Sequence, residues 1–276
     1  MDKEKLRVLF IAKNIPVPGI RPSRVIMAIA HELSYFCKIT FLYPNEIVPL
    51  GFQFLKKYKP FYKLKSWNSE GFDISVVQYL RIPYRPMAFW MWRNLKLNDI
   101  IFFKKNGPFD LIHAHYLFPD GYLAFLYSKY FSIPYIITIR NADIRHLKSI
   151  SKNNPDFKKA KLIISHAQKV LSLNLAYKEF IEDMFNISSQ IIPHGIELNA
   201  LTDKIELNKD KVVITVVAEA ISRKNIDWVV NSVKAYNGPQ TIKLNVIGGG
   251  PMTKKLKDLA ANDNRITFEG KIKREL

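Results

Sequence analysis

The chain has 276 residues, 48% of them apolar, and 42 Lys or Arg against 24 Asp or Glu give it a net charge of +18. Apolar content at this level, spread evenly, excludes an intrinsically disordered chain, and the length suffices for two domains with packed cores. The excess of cations points to an anionic partner: a phosphorylated ligand, an acidic lipid surface or a nucleic acid.

Near the amino terminus, residues 6–12 read as a strand, and the apolar run within it, residues 8–12, is too short for a signal-peptide core. Ser23 is placed to cap a helix in which Ile26, Ile29, Ala30 and Leu33 follow helical spacing. Residues 38–43 then complete a strand–helix–strand unit. The loop between, residues 14–22, carries Gly19 and Arg21, and Arg24 stands at the helix start. A helix amino terminus with two arginines is a site for an anion. Cys37 is the single cysteine, so no internal disulfide can form and a reducing compartment is expected.

Residues 44–106 interleave Lys56, Lys57, Lys59, Lys63 and Lys65 with Tyr58, Phe61, Tyr62 and Trp67, followed by Phe89, Trp90, Met91, Trp92 and Arg93. Cations beside aromatic rings suit the edge of an anionic bilayer. The same mixture serves single-stranded nucleic acid, but no RNA-module signature accompanies it and nucleic acid is the disfavoured partner. No apolar stretch approaches the roughly 20 residues that cross a bilayer. The expected location is the cytoplasm, at the inner face of the membrane.

Two segments organise the first half: FDLIHAHYLFPDG at 109–121 and PYIITIRNADI at 134–144. Each reads as a parallel strand ending in polar residues, with a helix over 121–131 between them. His113 and His115 alternate with Ala114, so both imidazoles point to one face of a strand. Arg140, Asn141, Asp143 and Arg145 crowd the end of the second segment, where open parallel sheets carry their functional groups. Residues 161–165 read as a further strand, with Ser165 capping the helix after it, and 191–196 as the last strand of this domain. The expected organisation is a first domain over 1–198, a polar linker over 199–210 and a second domain over 211–276. In the second domain, strands at 211–218, 243–247 and 265–268 alternate with helices marked by Ile226, Val229, Val230 and Val233, and by Met252, Leu256 and Leu259.

HAHYLFPDG, TIRNADI, IIPHGIE, RKNIDWVV and VIGGGP, in that order, resemble the family 4 retaining glycosyltransferases. The resemblance implies an α/β GT-B fold of two Rossmann-like doubly wound parallel-sheet domains, the second incomplete. It also implies transfer of a sugar, of the hexosyl type, from a nucleotide-diphosphate sugar to a glycan or lipid-linked acceptor in bacterial surface polysaccharide synthesis. The nucleotide sugar is a co-substrate, and neither cofactor nor metal is implied. His115 matches the family's second motif histidine, at the reaction centre, and Asp143 its motif aspartate, although Arg140 and Asn141 replace the family's His and Gly. Lys224 matches the lysine that holds the donor phosphates and shares the catalytic role. Glu219 occupies the place of the companion arginine, leaving Arg223 to supply a guanidinium. Gly248, Gly249 and Gly250 match the donor-binding loop, and Gly270 and Ile272 lie where backbone groups meet the nucleobase. Gly19, Arg21, Arg24, Arg140 and Arg145 fall on the acceptor or phosphate side. His194 replaces an Asn before Gly195. By this resemblance Lys224 and His115 line opposite walls of one cleft. The family's paired glutamates beyond Gly270 have no counterpart before residue 276, so the expectation is a truncated chain with weak or no transfer activity. The rival expectation is a non-catalytic basic α/β protein that binds a membrane surface or nucleic acid. A dinucleotide oxidoreductase is disfavoured because no G-x-G-x-x-G follows either domain's first strand.

Overall fold

The computed structural model describes residues 5–17, 24–48, 64–81, 86, 97–195, 210–261 and 263–272. The expectations for Gly19, Arg21, Ser23, most of the lysine and aromatic interleave from Lys56 to Arg93, and nearly all of the linker lie outside the described residues. The chain divides into two compact units, Met1–Ile196 and Glu197–Leu276.

In the first unit the elements run β1 (Leu6–Ile11), α1 (Val25–Ser34), β2 (Cys37–Ile47), β3 (Trp67–Ser69), β4 (Phe72–Leu80), α2 (Leu97–Asn106), β5 (Leu111–Ala114), α3 (Tyr122–Phe131), β6 (Tyr135–Ile139), α4 (Asn141–Lys148), α5 (Pro155–His166), β7 (Lys169–Ser172), α6 (Leu175–Phe185) and β8 (Gln190–Ile191). They build an eight-stranded sheet in the order β3-β4-β2-β1-β5-β6-β7-β8. Only β3 is antiparallel, paired with β4. The hairpin joining them turns through Glu70 and Gly71, both with positive φ (50° and 82°), the paired left-handed geometry of a tight hairpin.

A parallel sheet must be covered on both faces, and β1 shows how. Leu9 and Ile11 join one core with Ile112, Ile137, Ile139 and the buried faces of α3, α5 and α6. Val8, Phe10 and Ala12 join the other, with Ile26, Met27 and Ala30 of α1 and with Phe41 and Tyr43 of β2. Burying a side chain such as Phe10 contributes roughly 1.5–3 kcal/mol. Trp67 packs against this second core edge-on to Tyr43, with ring centroids 5.3 Å apart, so it belongs to the packing of β3 rather than to a lipid-facing surface.

One expectation is corrected here. Residues 161–165 are helical, the last turn and a half of α5, and the strand is β7, a few residues on. The short apolar run could not by itself distinguish strand from buried helix. The start of α5 decides it: the Asn154 side chain accepts the Asp156 N–H at 2.8 Å and Pro155 occupies the first helical position. Ser165 caps no helix, because its hydroxyl donates back to the Leu162 carbonyl at 3.1 Å.

The second unit contains β9 (Lys211–Val217), α7 (Ile226–Ala235), β10 (Thr241–Ile247), α8 (Thr253–Ala260) and β11 (Ile266–Gly270). Its three parallel strands lie in the order β11-β10-β9. Val230 and Val233 of α7 and Leu256 and Ala260 of α8 bury one sheet face against Leu244 and Val246. Among the described residues no helix is long and apolar enough to cross a membrane.

Candidate functional site

In the first unit β1 is flanked by β2 on one side and β5 on the other, so successive crossovers leave the sheet in opposite directions at this point. A crevice therefore opens at the carboxyl ends of β1 and β5. Two polar clusters fill it.

The first surrounds the two histidines. His113 and His115 stack on one face with ring centroids 4.1 Å apart, as their alternation on β5 requires, and Phe10 stands beside both. His113 shares a hydrogen bond with the Thr138 hydroxyl of β6 at 2.8 Å. Arg140, at the end of β6, donates through Nε to the His115 carbonyl at 2.9 Å, and its Nη atoms reach His194 Nε2 at 2.9 Å and His115 Nδ1 at 3.4 Å. Its guanidinium also lies over the Tyr116 ring, 5.4 Å from the centroid. Burial, reinforced by the Arg140 charge, drives His113 down to about 3. Burial and the neighbouring His113 and Arg140 hold His115 well below its ordinary value. Both rings are neutral at physiological pH. Because Arg140 is a donor only, His115 Nδ1 accepts and its proton sits on Nε2. That Nε2 is buried and has no hydrogen-bond partner among the described residues.

Asp143 stands in the same cluster, on α4. Its carboxylate accepts the Arg140 backbone N–H at 2.9 Å and the Leu117 N–H at 3.1 Å, so it ties the start of α4 to the irregular turn Leu117–Gly121 that follows β5. Burial raises its carboxyl to about 7, against the pull of those two N–H groups. A carboxyl raised from 3.8 to about 7 on folding stabilises the protein below the unfolded value and loses that contribution as pH rises towards neutrality. Asp143→Asn removes this, so relative to the parent the variant should lose about 1.4 kcal/mol per pH unit on acidification between about pH 7 and pH 4. Urea unfolding at three pH values reads that slope, and parallel pH profiles would exclude a raised Asp143.

The second cluster lies on the β2 and β4 side. Lys13, just past β1, donates from Nζ to Glu46 at 2.5 Å and to the Tyr79 hydroxyl at 2.6 Å. Arg81 binds the other Glu46 oxygen at 2.8 Å. Burial would raise Glu46, but Lys13 and then Arg81 more than offset it and hold the carboxyl below its ordinary value. The Lys13 backbone N–H meets both oxygens of Asp120, at 3.2 and 3.3 Å. Burial lifts Asp120 well above the ordinary range. The Asn14 amide donates to the Tyr116 hydroxyl at 3.0 Å, linking this loop to the histidine cluster.

Other residues singled out in the sequence lie apart from these clusters. The Arg24 guanidinium is paired with Glu70 at 2.8 Å, with its side chain 47% exposed. Arg145 is exposed on α4. Lys13, Glu46, Tyr79, Arg81, Asp120, Tyr116 and Thr138 were not singled out in the sequence. The signal for two of them was present: Lys13 and Glu46 are charges directly at the ends of apolar parallel strands.

In the second unit three loops meet at the carboxyl ends of the strands. Ala218 donates to the Ile247 carbonyl at 3.0 Å, Ala220 to Gly249 at 3.3 Å, Gly248 to Gly270 at 2.7 Å and Met252 to Ala220 at 2.9 Å. Gly248, Gly249, Gly250 and Gly270 are thus brought together with the loop after β9. Arg223 and Lys224 occupy a short turn, Ser222–Lys224, just before α7, with both side chains exposed. Asn225, at φ 49°, leads from that turn into the helix. Glu219 is exposed on the loop after β9, and Ile272 is 59% exposed beyond β11.

No family model matches the chain. An uncharacterized glycosyltransferase of Methanocaldococcus jannaschii is 24% identical over 155 residues, 56% of this chain and 41% of that protein. A Bacillus subtilis protein named as the teichuronic acid biosynthesis glycosyltransferase TuaC is 28% identical over 128 residues, 46% of this chain and 31% of that protein. The matched stretch spans less than half the length of either relative. Among solved structures, the apo lipopolysaccharide outer core galactosyltransferase WaaB aligns over 97% of this chain and 68% of its own, with a TM-score of 0.55 and 14% identity. The N-terminal domain of a Candida albicans trehalose-6-phosphate phosphatase aligns over 100% and 74%, with a TM-score of 0.60 and 13% identity. These likenesses establish the fold, a mixed α/β architecture of the GT-B kind with a large parallel sheet.

Proposed function

We propose that the chain acts as a family 4 retaining glycosyltransferase, which moves a sugar from a nucleotide-diphosphate donor to a glycan or lipid-linked acceptor of a surface polysaccharide. The reading rests most heavily on His115. It is a buried neutral imidazole at the switch point of a parallel sheet, and its Nε2–H has no partner among the described residues. Such a donor costs about 1–3 kcal/mol when left unsatisfied. A sugar hydroxyl in the crevice satisfies it.

The reaction breaks the bond between the anomeric carbon and a diphosphate oxygen while the acceptor hydroxyl oxygen bonds to the same carbon and its proton passes to the departing diphosphate. Positive charge builds on the sugar and negative charge on the leaving diphosphate, so fixed cations at the diphosphate are the largest source of acceleration. In this reading Lys224 and Arg223 fill that role, aided by the amino terminus of α7. The loop from Gly248 to Gly250 lies along the donor, and backbone groups at Gly270 and Ile272 face the base. Asp143 acts as a positioning residue, since its oxygens accept backbone N–H groups that fix Arg140 and the turn after His115. The acceptor is met at the cytoplasmic membrane face.

Thermal unfolding with UDP, GDP and their sugars tests the proposal. A donor at a hundred times its Kd should stabilise the chain by about 2.7 kcal/mol. Lys224→Ala should lose that stabilisation while keeping the unliganded melting temperature. If no nucleotide diphosphate raises the melting temperature and oligonucleotides bind with steep salt dependence, the chain is instead a basic binding protein.

A further inference from the structure

Arg140 is a buried cation whose guanidinium forms no ion pair among the described residues, although Asp143 and Asp120 act on it from a distance. It is 6% exposed, and no carboxylate pairs with its guanidinium among the described residues. The other buried or half-buried cations of the crevice are handled differently: Lys13 and Arg81 share Glu46. Asp143 is close in sequence, yet its oxygens meet backbone N–H groups instead. All three acceptors that Arg140 uses are uncharged: one carbonyl and two imidazole nitrogens. A guanidinium carries five N–H donors, so two remain uncommitted among the described residues.

A buried charge left this way is strongly unfavourable unless something brings the opposite charge to it. The route is open on one side. His194, which contacts Nη1, is exposed, and so are Asn141 and Ala142 in the first turn of α4. That turn directs the positive end of the helix at the same point. On the other side lies His115 with its unpartnered Nε2–H.

We infer that Arg140, flanked by His194 and the start of α4, receives an anionic group of the acceptor, a carboxylate or a phosphate, and so selects acidic acceptors over neutral ones. The word acceptor rests on the glycosyltransferase reading; the anion site does not. Carboxylate and phosphate share the chemistry that a guanidinium recognises, two oxygens able to take parallel N–H donors.

Calorimetry on the whole chain separates the possibilities with four probes: methyl glucuronide, glycerol phosphate, methyl glucoside and UDP. At least one acid should bind about tenfold or more tightly than the neutral glucoside, as a charged hydrogen-bonded pair implies. Preference for the glucuronide marks a uronate acceptor, and preference for glycerol phosphate a phosphorylated one. Arg140→Gln should abolish the preference while leaving UDP affinity unchanged. Because Arg140 is buried, a second variant guards against misfolding. His194→Glu, at an exposed position, places a carboxylate against the guanidinium, and it should raise the melting temperature while eliminating acid binding. Equal binding of acids and neutral glucoside by the parent chain overturns the inference, as does a His194→Glu variant that keeps its acid preference. Either result with UDP binding intact leaves the glycosyltransferase reading standing. Acid binding without UDP binding would sink that reading and spare the anion site.

Discussion

Gly248→Ala should destabilise the second unit by on the order of 3 kcal/mol, while Gly249→Ala, one residue away, should be neutral or slightly stabilising. Gly248 has a φ of 128°, a backbone conformation that side-chain-bearing residues rarely adopt, and a Cβ there would lie 1.9 Å from the Ala218 carbonyl oxygen. Neither the strain nor the overlap can be relieved locally, because the obstacle is backbone held in place by the Ala218 N–H to Ile247 hydrogen bond. A Cβ at Gly249 would meet only the Lys271 side chain, at 3.5 Å, an ordinary contact. Amide exchange in β10 measures the difference. Protection lost in Gly248→Ala and kept in Gly249→Ala is the expected pattern. Equal protection in both would mean that the three loops are not locked by close backbone approach. The same result bears on the donor reading, since the loops that Gly248 holds together carry the positions assigned to the diphosphate and the base.

This glycine run illustrates what could be read without coordinates. Its position after an apolar strand identified it as a loop of an α/β unit, but the particular need at Gly248 comes from Ala218, just past a different strand. The histidine pair was legible because strand periodicity alone puts His113 and His115 on one face. Arg140 and Asp143 were legible as neighbours of that pair because β5 and β6 are adjacent parallel strands ending at the same edge. Tyr79 and Arg81 were not, and Glu46 showed only as a charge near the end of an apolar strand. They meet Lys13 only because β4 pairs with β2 and β2 with β1, and no local pattern reports those pairings. The pairing of Arg24 with Glu70 has the same origin, since Glu70 sits in a hairpin turn that sequence reading did not mark. Residues 161–165 went wrong for the opposite reason: a local pattern was present but was too short to choose between two kinds of element.

Glu46→Gln should destabilise the first unit by about 3 kcal/mol, lowering the melting temperature by roughly 6–12 °C for a domain of this size. Glu46 is the only carboxylate that pairs with Lys13 and Arg81 among the described residues, and its side chain is 10% exposed. Removing its charge leaves an ammonium and a guanidinium facing each other with little water between them. Tyr79 cannot compensate, because burial and the neighbouring Glu46 push its hydroxyl well above its ordinary value and keep it neutral. The charge explanation makes a second demand that a pure shape explanation does not. Adding Lys13→Met to Glu46→Gln relieves one of the stranded cations, so the double variant should recover at least about 1 kcal/mol relative to Glu46→Gln alone. If the defect were lost packing, a second truncation would deepen it. Recovery in the double variant would therefore show that charge balance holds the loop after β1 against β2 and β4. Further loss would instead mean that the Lys13 stem holds the loop by packing and that charge balance with Glu46 does not, since Lys13→Met leaves the backbone N–H contact to Asp120 in place.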